Sequence, residues 1–106
     1  MSVALTKPWI PLEQSAVTAL PGQLGVFEIA DEYREVSYIG FAGGKSLFGL
    51  RSELSEWLDR GSYFRVEVTT TYRTRHRELL MDHHRRCGCY PEQNSESELA
   101  GLRRLS

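Results

Sequence analysis

The stretch GVFEIADEYREVSYIG, residues 25–40, decides how the rest of the chain is read. Val26 and Glu28 alternate with Phe27 and Ile29, and Val36 and Tyr38 alternate with Ser37 and Ile39. Alternation of this kind predicts two strands, each with one buried face. Ala30 to Glu35 lies between them, is mostly charged and suits a hairpin loop. Gly25 and Gly40 bracket the pair, and glycine permits close backbone approach or an unusual φ. A tyrosine near such a glycine, as Tyr38 is, lies close to backbone and can point its phenol into a cleft.

Working outward, Phe41 to Ser46 reads as a flexible connection with Ser46 as N-cap of the next helix. Leu47, Leu50, Leu54, Trp57 and Leu58 recur at helical spacing, and Gly61 is placed to end that helix. Arg51 emerges about 100° around it from Leu50, flanking the buried face. Ser62 to Tyr72 is the best strand, with Phe64, Val66 and Val68 on one side and Arg65 and Glu67 on the other. Thr74 is placed to cap a second helix over residues 75–87, closed by Gly88 and followed by Pro91. Residues 1–23, with Pro8, Pro11 and Pro21, read as an N-terminal arm whose Trp9 and Leu12 pack on a domain spanning 24–94. A short helix or edge segment is expected at Glu13 to Leu20. Residues 95–106 form a polar tail with Leu99, Leu102 and Leu105 at helix-like spacing. The fold class expected is α+β, a small three-stranded antiparallel sheet flanked by helices.

The 106 residues suit one domain, and 41% apolar with 25% charged residues is ordinary for a globular chain. No apolar run suggests a membrane span, and the N-terminus lacks the pattern of a signal peptide. The default is a cytoplasmic protein. Net charge is −1, which argues against a uniformly basic nucleic-acid binder. Charge is unevenly spread, however. Up to Asp59 there are four basic and eight acidic residues; from Arg60 onward there are nine and six. Arg73, Arg75, Arg77, Arg85 and Arg86 crowd one segment with His76, His83 and His84, which permits a phosphate-facing patch.

Strand, strand, helix, strand, helix with these signals resembles a GIY-YIG nuclease domain. Gly25-Val26-Phe27 and Tyr38-Ile39-Gly40 match the naming tripeptides, and Arg51, Glu78 and the pair Pro91 and Asn94 match later landmarks in order. The resemblance covers about residues 24–94. It implies a metal-dependent DNA endonuclease using one Mg²⁺ or Mn²⁺. Tyr38 would orient or activate water, Arg51 would stabilise charge on phosphorus, and Glu78 would hold the metal. Lys45 lies where some members use a lysine, and Asn94 would pin the end of the site. Family nucleases often take specificity from elsewhere, so a protein partner or a homodimer is expected beside DNA, structured or branched DNA included.

The chemistry of those residue types agrees with such roles. A carboxylate can hold a hydrated Mg²⁺, a planar guanidinium matches phosphate oxygens, and a phenol needs help to lose its proton. Two positions depart from the pattern: Phe27 stands where most members carry tyrosine, and Ser55 stands where some carry histidine. Tyr38 is then the only phenol of the two tripeptides, and Phe27→Tyr is expected to leave the fold intact. Two other classes remain open: a non-catalytic nucleic-acid-binding module, recognised by salt-sensitive binding without cleavage, and a protein-interaction domain with no affinity for DNA.

Cys87 and Cys89 flank Gly88, a spacing poor for a relaxed local disulfide. His83 and Cys87 lie one helical turn apart, so a His/Cys metal site can be drawn, but the spacing matches no zinc signature. The plainer reading is a half-buried helix end with two thiols.

Overall fold

A computed structural model describes residues 5, 7–20, 22–44 and 48–94. Its elements are β1 (Ile10–Pro11), α1 (Gln14–Thr18), β2 (Gly25–Ala30), β3 (Val36–Ala42), α2 (Gly49–Ser55), β4 (Tyr63–Val68) and α3 (Tyr72–Cys87). The strands form one antiparallel sheet in the order β1-β4-β2-β3. The expected α+β class holds, with the arm contributing a fourth strand of two residues.

β2 sits between β4 and β3 and is buried along its whole length. The expectation of one wet face therefore fails for this strand, because helices cover both sides of the sheet. On one side Phe27 and Ile29 pack with Leu12, Val17, Ala42, Leu50, Leu54 and Phe64, under α1 and α2. On the other, Val26 packs with Leu5, Ile39, Leu79 and Leu80, under α3. Each fully buried side chain of this size stabilises by about 1.5–3 kcal/mol relative to exposure. The arm is thus built into the domain: Leu5 joins one cluster, and Leu12 and Val17 join the other.

Element ends follow local chemistry. The β2–β3 turn is organised by Asp31, whose Oδ1 accepts the amides of Tyr33 (2.9 Å) and Glu35 (3.0 Å). α2 is shorter than its leucine stripe suggests; Ser55 Oγ donates to the Arg51 carbonyl at 2.7 Å, and the chain continues through turns to Arg60. Ser46 and Leu47 lie outside the described residues. β4 ends at Val68, and the threonine run makes a turn in which the Thr71 amide donates to Thr69 Oγ1 (3.1 Å). α3 then starts at Tyr72, so Thr74 lies inside it rather than capping it. Gly88 ends α3 in the left-handed region (φ 79°), its amide donating to the His84 carbonyl at 2.8 Å.

The two tripeptide glycines have packing reasons. Gly25 lies so close to the Glu67 backbone that a Cβ would collide with it. Gly40 pairs with Phe27 across the ladder, and a Cβ there would strike the Phe27 and Tyr38 rings. The Phe27 ring tip points at this space, so the ring carbon that a tyrosine would hydroxylate is already crowded. The structure therefore revises the sequence-based expectation for Phe27→Tyr. We expect the substitution to lower unfolding free energy by about 1–3 kcal/mol through overpacking. Urea denaturation measures it, and an unchanged midpoint would show that the sheet admits the hydroxyl.

Candidate functional site

Tyr38 pairs with Ile29, which places its side chain on the α1/α2 side of the sheet. Its ring stacks on Trp57 (centroids 4.1 Å apart) and tilts against Phe27 (5.8 Å). Arg51 is on the same side, in the first turn of α2. Its guanidinium sits beside the Phe48 ring (5.6 Å), and its Nε is buried with no hydrogen-bond partner among the described residues. It lines a cavity of about 510 Å³ with Gln14, Thr18, Phe48, Ser52 and Glu56.

The backbones of Tyr38 and Arg51 attach near different ends of β2. The α2 start is tied to the segment before β2 by the Leu50 amide, which donates to the Gln23 carbonyl at 2.9 Å. Tyr38 lies against the far end of β2 at Ile29. From Gly25 to Ile29 the strand rises roughly 13 Å. Glu78 stands on α3, across the sheet from both. Its Oε1 is 3.6 Å from Arg75 Nη1, and Arg75 in turn donates to both oxygens of Glu67 (2.7 and 3.1 Å). Tyr38 and Arg51 thus belong to the α1/α2 side of the sheet, and Glu78 to α3, which covers the other side.

In this structure Glu78 has an arginine beside it. Arg75 already lies between the Glu67 and Glu78 carboxylates, where a cation would sit. The Glu67 hydrogen bond, its charge and that of Glu78 favour protonated Arg75 against its burial. Among the described residues, no group of three or more His, Cys, Asp or Glu could hold a metal ion. Cys87 and Cys89 are both exposed thiols, correcting the half-buried reading. His83 Nδ1–H donates to the Cys89 carbonyl at 2.8 Å, so this ring nitrogen is committed.

The basic segment divides in two. Arg75 turns inward to its acids, and Arg86 Nε donates to Asp82 Oδ2 at 2.7 Å. Arg73 and Arg77 are exposed, one turn apart, and form no ion pair with a described residue. Arg85 reaches Asp82 only at 3.8 Å, and its side chain is 70% exposed. Together with Met81 and His84 these make the outer face of α3. Lys45 lies outside the described residues.

Asn94 does pin an element, and the element is β3. Its Oδ1 accepts the Ile39 amide (3.1 Å), and its Nδ2 donates to the Ile39 carbonyl (2.9 Å). The main polar cluster missed by sequence reasoning lies under α3. Glu28, 1% exposed, pairs in register with Arg65, whose Nε donates to Oε1 at 2.6 Å. Arg65 also donates to the Lys7 carbonyl (3.2 Å) and lies 4.0 Å from the Trp9 ring centroid. Asp82 and His83 are buried nearby. An acid and a base opposite each other on adjacent strands were a usable signal, but only once β4 is known to pair with β2.

Residues 3–86 match the domain of unknown function DUF7508, and the chain belongs to that family. No curated protein and no solved structure matches it. Among the described residues no helix is long and apolar enough to cross a membrane.

Burial pushes the Glu28 carboxyl above its ordinary value of 4.5, while Arg65, Arg86 and His83 oppose the shift. The folded state then holds this proton more tightly than the unfolded chain does. Stability from Glu28 is complete below the ordinary value and is lost as pH rises through the raised one. We expect wild type to lose stability relative to Glu28→Gln over that interval. Parallel urea curves across pH check the sign; a constant difference would show that Arg65 cancels the burial effect.

Proposed function

We propose that this DUF7508 member is a nucleic-acid-binding module whose contact surface is the outer face of α3. The observation that carries the reading is the exposed pair Arg73 and Arg77, one helical turn apart and in no ion pair with a described residue, continued by His84 and Arg85. Arg73 to Arg85 spans about 18 Å of helix axis, enough to meet several phosphates. Guanidinium groups suit them because their planar donors match phosphate oxygens. Met81, 48% exposed between the basic positions, adds an apolar contact for sugar or base.

An endonuclease of the GIY-YIG type is the alternative raised by the sequence resemblance. It asks for Tyr38, Arg51 and Glu78 around one phosphate, and for a carboxylate free to take a divalent ion. The sheet between Glu78 and the other two, and the Arg75 guanidinium on Glu78, favour binding without cleavage.

Fluorescence anisotropy on single-stranded, duplex and branched DNA tests the reading, with and without Mg²⁺ or Mn²⁺. With three phosphate contacts, affinity should fall about forty-fold between 50 and 200 mM salt. Arg73→Ala with Arg77→Ala should remove about two-thirds of that salt slope, while Arg34→Ala leaves it intact. Metal-dependent cleavage lost in Glu78→Ala would overturn the reading in favour of the nuclease. No binding at low salt would leave α3 facing a protein partner.

A further inference from the structure

The cavity beside α1 and α2 plays no part in the binding face on α3. It measures about 510 Å³, a size that holds small organic ligands, and Arg51 stands in its wall. The place of this side chain is set by backbone. The Leu50 amide donates to the Gln23 carbonyl at 2.9 Å, which fastens the start of α2 to the segment before β2. Gly22 lets the guanidinium lie close over that segment; a Cβ there would stand 3.4 Å from Arg51 Nη2.

The buried polar side chains elsewhere are satisfied. Glu28 is met by Arg65, Asp82 by Arg86, and Asn94 by the backbone of Ile39. Among the described residues, Arg51 Nε is the one buried side-chain nitrogen or oxygen without a hydrogen-bond partner. A buried donor left unpaired is costly, so the side chain gains by any turn that brings an acceptor to Nε. Arg51 has no ion pair with a described residue to break in making that turn.

The rest of the wall selects the acceptor. The Nε–H and one Nη–H of a guanidinium run parallel and fit the two oxygens of a carboxylate side-on. Thr18 Oγ1 accepts from Gln14 Nε2 at 3.0 Å, which leaves its own hydroxyl hydrogen to give. Glu56 lines the same cavity and limits the charge it takes. One guanidinium beside one carboxylate suits a monoanion better than a dianion such as a phosphate monoester. The Phe48 ring is 55% exposed and offers a face to an apolar body.

We propose that this cavity binds a small monocarboxylate with an apolar body, its carboxylate paired with Arg51 and its body against Phe48. The site is independent of the nucleic-acid face, because α3 covers the other side of the sheet.

Phenylacetate titrated into the full chain, followed by the arginine Nε–H NMR signals, tests this. The Arg51 signal should shift saturably with a Kd of about 1 mM or below. Phenylacetamide has nearly the same shape without the charge, and should bind about ten-fold more weakly. Arg51→Lys keeps the charge but loses the fork, and should weaken phenylacetate by about ten-fold. Should that variant fail to fold, the acid and the amide compared on wild type decide. Equal binding of the two would overturn the proposal, as would no saturable shift at about 20 mM phenylacetate. Shifts confined to Arg73, Arg77 and Arg85 would overturn it by assigning the anion to α3. So would inorganic phosphate moving the Arg51 signal as strongly as phenylacetate, which would leave only a general anion site.

Discussion

The carboxylate of Glu28 is the point on which the arrangement of the domain turns. It lies on the central strand with water excluded, and an isolated charge there would be untenable. Arg65 answers it from the neighbouring strand at 2.6 Å, and the Trp9 ring and Lys7 carbonyl hold the guanidinium from outside. A buried pair of this kind is a weak source of net stability, since desolvation offsets much of the attraction. Its effect is on register. Sliding β4 by one residue against β2 would present Phe64 or Val66 to Glu28 and turn Arg65 into the apolar cluster on the other face. Such a slip loses both the pair and the core, which is how a sheet with two covered faces specifies its alignment.

Covering both faces has a functional consequence. A sheet wrapped on one side only leaves its other side for chemistry, with strand and helix residues meeting in a common cleft. Here α1 and α2 close one side and α3 closes the other. Side chains from α2 and α3 are kept apart by a layer of backbone. The outer face of α3 leaves Arg73, Arg77 and Arg85 to solvent, while Glu28, Arg65, Glu67 and Arg75 are spent on one another. Arg75 belongs to the second class although it sits in the same run as Arg73 and Arg77.

Much of the fold was legible. The alternation in residues 25–40 predicts the hairpin, the alternation around Phe64 predicts β4, and the leucine spacing predicts α2. Gly88 predicts the end of α3. Misread details share a cause. β2 was read as having only one buried face, and the alternation carries no sign that a second helix covers the face that bears Glu28. Thr74 looked like a cap because it precedes a helical pattern, but Tyr72 already packs on Phe41 with ring centroids 5.5 Å apart, and tertiary contact extends the helix backward. Asn94 was assigned to the end of a site; a side chain that bonds backbone 55 residues away leaves no local trace.

The sequence by itself determined which segments are strands and helices, how the hairpin turns, and where charge accumulates. Those properties depend on periodicity, on residue shape and on neighbours within a few positions. Only the tertiary structure decided which face of the sheet each helix covers and which arginines are neutralised. Each of these depends on contacts between residues distant in the chain. A helix with an apolar stripe can lie on either side of a strand with apolar residues on both, and only simultaneous packing of the whole chain selects between them.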